Sequence, residues 1–229
     1  MGQAATTLPL LPDELRQELF RRRDLDQTAR SAFAAEDREA IARLFQIDRD
    51  NAAWLRAVVD AVGWPGRSIV GDEGAHAAWL LAQHADGEPE LQRRCLQLLE
   101  QAVALGEASP ADLAHLTDRV LVASGELQLY GTQTTARDGR YVPCGLRDPD
   151  TVDARRASVC LEPLAAHLNH LLSLCGPPKP GRVPCPECSA PINVWMPEPG
   201  CAIGVVCPRC GAAVTIRASM PATRLRANS

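Results

Sequence analysis

Apolar residues recur at intervals of three and four along most of the first 175 residues. This spacing places them on one face of an α-helix, which is typical of helices packed around a core. The first such segment opens at Pro12-Asp13 and carries Leu15, Leu19 and Phe20. Later helices are predicted to begin at Asp48, Asp72, Pro89 and Ser109-Pro110, and two more to span 152–159 and 164–174. The pattern predicts a mainly α-helical domain over residues 1–175.

The helical pattern is interrupted after Gly125 by a short segment with the features of a β-hairpin. Leu127 and Leu129 lie before an Asp138-Gly139 dipeptide, and Tyr141-Val142 follow it. Asp-Gly is favoured in two-residue hairpin turns because both positions must adopt positive φ. The sequence therefore predicts one small β-hairpin within the helical domain.

A second composition begins at residue 176. The stretch 176–181 reads GPPKPG, which ends the preceding helix and predicts a stiff linker over 176–184. Short apolar runs follow at 192–195, 205–206 and 214–216, as expected of short strands. We therefore predict a separate small β-domain over 185–217 and a flexible tail over 218–229.

Four cysteines give this small domain its predicted chemistry. They form two C-x2-C pairs, Cys185 with Cys188 and Cys207 with Cys210, and 18 residues separate the pairs. This spacing is that of a zinc ribbon, in which two tight turns each supply two thiolates to one tetrahedral ion. Four thiolates leave no open coordination position, so the Zn²⁺ is expected to be structural. The alternative is that the pairs are redox-active or form disulfides.

Composition and charge indicate what the core is made of and which classes of partner each part of the chain could bind. The apolar fraction is 46% but aromatic residues make up only 4%, so the core must consist mainly of Leu, Ala and Val. The net charge is −4, and residues 176–229 hold six basic and two acidic side chains, which leaves −8 for the rest. The excess of basic groups in the C-terminal segment permits a protein contact or a weak nucleic-acid contact there. The acidic main domain argues against nucleic acid as its ligand.

The sequence predicts a cytoplasmic protein without a membrane-spanning segment. It contains no run of eighteen apolar residues, and its N-terminus has no basic region of the kind that opens a secretory signal. Nine cysteines together with a reduced metal site favour a reducing compartment.

Several motifs of the main domain occur together in a recognisable order. They are GWPG at 63–66, QHAD at 83–86, LTDRV at 116–120 and QLYGTQ at 128–133, followed by DARR at 153–156. Over about residues 50–168, the chain resembles a bacterial domain family of unknown function. The resemblance implies a fold and a choice of site, but it implies no reaction. The chain departs from the family pattern at Cys160, where glycine is expected, and the four-cysteine segment is not a usual part of the family.

The QHAD motif contains the first group of candidate catalytic residues. On a helix beginning at Asp72, Glu73 and His84 are eleven residues apart and lie only about 20° apart around the axis. Asp86 follows at the helix end. We predict that His84 acts as an acid or a base, with a carboxylate to orient it. The alternative is a surface or a structural histidine.

The LTDRV motif places two charged residues in an otherwise apolar helix. Asp118 is a candidate catalytic acid and Arg119 a candidate anion-binding group. The alternative is a buried ion pair that ties this helix to a neighbour, and Arg119 is the better candidate for such a structural role.

The QLYGTQ motif supplies candidate ligand contacts. In a strand, Gln128, Tyr130 and Thr132 would share one face and Gln133 would lie on the other. Their amide, phenol and hydroxyl groups suit the binding of a small polar ligand. The alternative is an edge strand with a solvated polar face, and Gly131 indicates close approach of backbone or ligand.

Two functions follow from these patterns. The first is an enzyme or small-molecule binder whose cleft gathers the polar residues of the three motifs. The second is a non-catalytic adaptor whose zinc ribbon contacts a protein or nucleic acid. The sequence contains no nucleophile or phosphate-binding motif, and His167 and His170 are expected on a solvated helix face rather than at a metal.

Overall fold

The computed structural model describes residues 11–31, 38–178, 180–185, 187–195, 202–206, 209–211 and 213–217. Over these ranges the chain is mainly helical with a small antiparallel hairpin, as the hydrophobic pattern predicts. The helices are α1 Pro12–Ser31, α2 Arg38–Val62, α3 Arg67–Gln83, α4 Pro89–Ala104, α5 Pro110–Ala123, α6 Val152–Ser158 and α7 Leu164–Cys175. The predicted tail over 218–229 lies outside the described residues. None of the described helices has both the length and the apolar character needed to cross a bilayer.

The chain divides into two compact units. The first unit comprises residues 1–29 and 42–120, and the second comprises 30–41 and 121–229. The regular secondary structure of the first unit is entirely α-helical where it is described, and the core is built mainly from Leu, Ala and Val, as composition predicts. Its most deeply buried large side chains are Leu19, Leu55, Leu81, Leu91, Leu99 and Leu116.

Two helix starts differ from the prediction. α2 begins at Arg38 and passes through Asp48, so the expectation that Asp48 caps this helix is wrong. Ile47, the residue before Asp48, is a buried residue of the same helix, so the buried face of α2 begins before Asp48. α3 begins at Arg67, but its backbone leaves the helical region at Gly71, with φ 74° and ψ 173°. The predicted start at Asp72 therefore coincides with a kink rather than with the first residue of the helix.

The GWPG segment closes α2 and starts α3. Gly63 adopts a positive φ of 72° after the last turn of α2, and Trp64 then enters the core. Gly66 lies directly against Glu107, whose carboxylate accepts a hydrogen bond from Ser68 N at 2.8 Å. This carboxylate satisfies a free N–H at the start of α3. The absence of a side chain at Gly66 therefore allows Glu107 to come close enough to cap the start of α3.

The second unit contains the hairpin. β1 Thr134–Arg137 pairs with β2 Arg140–Pro143, and both turn residues, Asp138 and Gly139, have positive φ. The predicted turn is confirmed. The predicted first strand is wrong in extent, because 129–133 form a loop and Gln128 makes only an isolated bridge to Leu146.

Cys160 occupies a left-handed turn between α6 and α7. Its φ is 61°, a conformation that favours glycine because an ordinary side chain is strained there. This conformation explains why glycine is expected at this position. The turn is closed by hydrogen bonds from Cys160 N to Ala157 O and from Leu161 N to Arg156 O.

The C-terminal segment forms two further hairpins. β3 Pro180–Pro184 pairs with β4 Pro191–Trp195, and β5 Ala202–Val206 pairs with β6 Ala213–Arg217. The strands predicted beyond the linker are confirmed, whereas β3 lies where the sequence predicts linker. β4 also contacts β1 within the second unit. Independent folding of 185–217 stays a prediction.

A glycine pair tests the importance of the contact at Gly66. A Cβ at Gly66 would lie 2.6 Å from Glu107 Oε2 and 2.8 Å from its Cβ, so Gly66→Ala must displace the group that caps α3. We expect a loss of about 1–3 kcal/mol in the free energy of unfolding, measured by urea denaturation. The control is Gly87→Ala, where a Cβ meets no atom within 4 Å and φ is not positive. It should be neutral or slightly stabilising. Equal stability of the two variants would contradict this account.

Candidate functional site

His84 lies at the C-terminal end of α3 and contacts a buried carboxylate. Its Nδ1 is 3.1 Å from Asp26 Oδ1 and 3.0 Å from Oδ2. The Asp26 side chain is 0% exposed and that of His84 is 12% exposed. Because a carboxylate only accepts hydrogen bonds, Nδ1 must carry the proton. Gln27 Nε2 donates a further hydrogen bond to Asp26 Oδ2 at 2.8 Å.

The sequence predicts a carboxylate beside His84 but not the identity of that carboxylate. Glu73 is exposed, and the contact comes from Asp26 on α1. A signal for Asp26 is present in the chain. It continues the stripe that contains Leu15 and Leu19, at a position where an apolar residue would be expected. An acidic residue in such a stripe must have a buried partner.

Asp86 and Arg119 form a second, partly buried pair in the first unit. Arg119 Nε donates to Asp86 Oδ1 at 2.9 Å and Nη2 donates to Oδ2 at 2.6 Å. Gln92 Nε2 also donates to Asp86 Oδ1 at 3.3 Å, and to the carbonyls of Ala82 and Gln83. The predicted ion pair between the LTDRV helix and a neighbour is thus present for Arg119. Asp118, the adjacent candidate acid, is fully buried on α5.

A second histidine–carboxylate pair, which the sequence analysis did not identify, joins α3 to α5. His76 Nδ1 lies 3.2 and 3.0 Å from the two carboxylate oxygens of Asp112. The His76 ring stacks on Trp79, and Trp79 meets His115 edge-on. The hydrogen bond that His76 donates to the Asp112 carboxylate raises the pKa of His76 above its ordinary value, and partial burial opposes this rise. His76 thus holds more positive charge near neutral pH than a free histidine.

In the second unit, Gln128 is used to build its own loop. Its Nε2 donates to the carbonyls of Gln133 at 2.7 Å and Cys144 at 2.8 Å, and its Oε1 accepts from Gln133 N at 2.9 Å. The side chain is fully buried. These bonds use both the nitrogen and the oxygen of the side-chain amide. Gln128 therefore holds the loop together rather than presenting its amide to solvent or a ligand. The alternative of a solvated edge strand is wrong for the same reason.

Two arginines of α6 fix the backbone of the same loop. Arg155 Nε donates to Leu129 O at 2.7 Å, and Arg156 Nη1 donates to Tyr130 O at 2.7 Å. Arg156 is almost completely buried, and its Nε donates to Glu162 O. Gly131 adopts a φ of 71°, and a Cβ there would lie 3.0 Å from the Leu164 side chain. The group that closely approaches Gly131, as the sequence predicts, is therefore the Leu164 side chain of α7.

The structure groups the candidate residues by unit. The first unit holds His84, Asp86, Asp118 and Arg119, whereas Glu73 lies exposed on α3. The loop of the second unit holds Gln128, Tyr130 and Gln133. Of these loop residues, Gln133 is buried and Tyr130 is partly exposed. A single cleft that gathers residues of both groups stays a prediction.

Three of the four predicted zinc ligands lie together in the second unit. The sulfurs of Cys185, Cys188 and Cys210 are all within 4.8 Å of one another, and Cys207 lies outside the described residues. Cys185 Sγ and Cys210 Sγ are 3.6 Å apart, well beyond the roughly 2.05 Å of a disulfide. Thiolates bound tetrahedrally at about 2.3 Å would be about 3.8 Å apart. The three sulfurs could therefore hold one metal ion.

The residue that follows each C-x2-C pair has a left-handed backbone conformation. Ser189 and Gly211 each follow the second cysteine of a pair, and both have positive φ, 57° and 73°. Ser189 N donates to Cys185 O at 2.8 Å, which closes the first turn. Serine therefore adopts the conformation for which glycine is the usual residue at this position.

The two histidines of α7 differ in environment. His170 is exposed, as predicted, but the His167 side chain is only 16% exposed. The expectation of a solvated face is therefore wrong for His167. Burial lowers the pKa of His167 below its ordinary value, and nearby Arg156 lowers it further.

The comparisons with known proteins give a family but no activity. Residues 12–176 match the model of a protein family of unknown function. No curated protein and no solved structure matches the chain. The match confirms the resemblance to a family of unknown function, and it ends before the first of the four zinc-ligand candidates.

The His76–Asp112 pair generates a pH-dependent prediction. Since the folded pKa of His76 is raised above 6.5, its interaction stabilises the fold fully below that pH. The contribution is lost as pH rises through the raised pKa. The side chain is 55% exposed, so the effect should stay below about 1 kcal/mol. Urea unfolding of wild type and His76→Gln at pH 5.5 and 9 should show a larger difference at pH 5.5. A difference that grows with pH would contradict the assignment.

Proposed function

The chain belongs to the DUF6624 family of unknown function, and we propose that its first unit binds a small polar ligand to which His84 transfers a proton. The observation that carries the proposal is the contact of His84 Nδ1 with both oxygens of the fully buried Asp26. A carboxylate in this position fixes the tautomer and the ring orientation of a histidine. The same arrangement orients histidines that act as general acids and bases.

The chemistry of the pair follows from which nitrogen Asp26 occupies. With Nδ1–H directed at the carboxylate, the basic lone pair of the neutral ring lies on Nε2. Protonation at Nε2 gives a cation that the buried carboxylate stabilises directly. His84 can therefore gain and lose a proton at Nε2 without reorientation of its ring.

Asp86 has a positioning role in this proposal. Its carboxylate is already bound by Arg119 and Gln92, so it is poorly placed to react with a ligand as well. It follows His84 by two residues and anchors the segment after α3. Arg119 serves the same purpose, which agrees with the structural role that the sequence analysis favoured for it.

Ligand recognition in the second unit would come from its rigid loop. Arg155 and Arg156 hold the carbonyls of Leu129 and Tyr130, so the loop is preorganised. Tyr130 and Gln133 remain candidate ligand contacts, and Gln128 becomes the residue that shapes the loop.

A second candidate function is a zinc-stabilised adaptor, and the cysteine cluster favours it. Cys185, Cys188 and Cys210 would hold Zn²⁺ together with Cys207. A zinc ion bound by four thiolates has no open position, so it would stabilise the hairpins rather than catalyse a reaction. The folded hairpins would then offer a surface for a protein or for a weak nucleic-acid contact.

Substitution of His84 separates a functional from a structural histidine. His84→Ala should cost about 1–3 kcal/mol in either case, because it leaves the buried Asp26 carboxylate short of a donor. His84→Asn places an amide nitrogen near the position of Nδ1, so its stability should stay within about 1 kcal/mol of wild type. For a substrate found by screening polar metabolites against the wild type, His84→Asn should lower turnover by about 10²–10⁴-fold.

The matched control for this experiment is His76→Asn. It makes the same chemical change at the exposed histidine–carboxylate pair and should leave turnover unchanged. If His84→Asn keeps wild-type turnover, the proton-transfer role is wrong and His84 is a structural residue.

Zinc analysis tests the metal site. Purified protein should contain one equivalent of Zn²⁺, and a Cys207→Ser/Cys210→Ser variant should contain almost none, since two thiolates cannot retain the ion. Cys160→Ser changes an exposed thiol outside the cluster and should keep the full equivalent. Full zinc retention in the double variant, measured by atomic emission, would refute the assignment.

A further inference from the structure

We propose that Cys210 and Cys185 form a site of reversible oxidation by peroxides, in which Cys210 reacts first and Cys185 then closes a disulfide with it. Their sulfurs are 3.6 Å apart, a contact between free thiols of two different C-x2-C pairs. Cys188 Sγ lies within 4.8 Å of both. Cysteines that respond to oxidants typically combine an accessible sulfur with a second thiol beside it.

The two thiols differ in their access to solvent, and this difference sets the order of the steps. Cys210 is exposed, whereas Cys185 is only 1% exposed. Hydrogen peroxide therefore reaches the Cys210 sulfur first, and water at that sulfur can solvate the thiolate that attacks it. Cys185 is shielded from the oxidant but lies beside the Cys210 sulfur. It is therefore suited to the second step rather than to the first.

The chemistry consumes two thiols and one molecule of hydrogen peroxide. The Cys210 thiolate attacks one peroxide oxygen, the O–O bond breaks, and Cys210 becomes a sulfenic acid while hydroxide leaves. The Cys185 thiolate then attacks the sulfenic sulfur, the S–O bond breaks, and a second hydroxide leaves. The proton from each thiol converts one hydroxide to water. The two sulfurs lose two electrons in total, and the peroxide gains them.

The expected disulfide links two hairpins rather than the two ends of one turn. Cys185 directly follows β3, and Cys210 lies between β5 and β6. These strands belong to separate two-stranded sheets, and the two cysteines are 25 positions apart in the chain. The sulfurs need to approach each other by only about 1.5 Å to reach the roughly 2.05 Å of a disulfide.

The disulfide and the zinc ion exclude one another, a consequence that rests on the zinc site proposed above. Cys185 and Cys210 are two of its four expected ligands, and they bind zinc as thiolates. Once both sulfurs are in a disulfide, the two remaining thiolates cannot retain the ion. Oxidation thus replaces a metal link between the hairpins with a covalent link, and reduction by a small thiol reverses the change.

Mapping of the disulfide in the full-length wild type tests the proposal. Protein loaded with zinc, and the same protein after a chelator has removed the metal, are treated with hydrogen peroxide, alkylated and digested with trypsin. Cys185 falls in peptide 183–209 and Cys210 in peptide 210–217. The main product should be these two peptides joined, and fragmentation between Cys185 and Cys188 should assign the bond to Cys185. In the loaded protein, a chromogenic chelator should record zinc release in step with the disulfide.

Two variants test the order of the steps. Cys185→Ser removes the second thiol, so the sulfenic acid at Cys210 should persist and be labelled by dimedone at least tenfold more than in the wild type. Cys160→Ser changes an exposed thiol outside the cluster and should leave the disulfide and the zinc release unchanged.

Failure of the zinc site and failure of this proposal give different results. Purified protein without zinc would refute the metal assignment, and the peptide map of the metal-free protein would still decide the oxidation. A main disulfide other than Cys185 to Cys210, or thiols that stay unmodified in either preparation, would overturn the proposal.

Discussion

The carboxylate of Asp86 joins three helices of the first unit and fixes the end of α3. Arg119 of α5 binds it through two parallel hydrogen bonds, and Gln92 of α4 donates to it while also holding the last carbonyls of α3. The side chains of Arg119 and Asp86 are only 11% and 17% exposed. Loss of one partner of such a pair leaves an uncompensated charge and typically costs about 3–5 kcal/mol. The position of His84, two residues before Asp86, depends on this anchor.

The two histidine–carboxylate pairs of the first unit show how burial changes one and the same contact. His84 meets a carboxylate that is inaccessible to water, so the pair has a fixed geometry and a strong electrostatic coupling. The His76 side chain is 55% exposed, so water screens its interaction with Asp112. Its ring also stacks on the Trp79 ring. The first pair suits proton transfer at a defined atom. The second pair mainly adds a small, pH-dependent link between α3 and α5.

The sequence was sufficient to predict those elements whose structure is decided by the local chemistry of the chain. Pro89 and Pro110 mark the first turns of α4 and α5 because proline fixes φ. Asp138-Gly139 forms the hairpin turn because both residues tolerate positive φ. The sequence was insufficient to predict contacts that depend on a residue far away in the chain. Asp26 becomes the partner of His84 only through packing of α1 against α3, and periodicity carries no information on which buried polar groups will meet.

The prediction of a strand over the QLYGTQ segment was wrong for a related reason. Alternation of polar residues predicts a strand with a polar face, but the Gln128 amide bonds to backbone groups of its own loop and so stands in for a strand partner. Side-chain bonds of this kind compete with regular structure and leave no periodic signature. By contrast, the C-x2-C spacing predicted a cluster of thiols correctly for Cys185, Cys188 and Cys210. The tight turn after Cys185 holds the first pair locally.

The tautomer of His84 tests the central claim most directly. Long-range ¹H–¹⁵N NMR of the imidazole distinguishes a protonated from an unprotonated ring nitrogen, and it requires no knowledge of the substrate. The account predicts that Nδ1 stays protonated at high pH while Nε2 loses its proton, and that Asp26→Asn weakens this preference. A neutral His84 with its proton on Nε2 in the wild type would contradict the orientation by Asp26, and with it the proposed proton transfer.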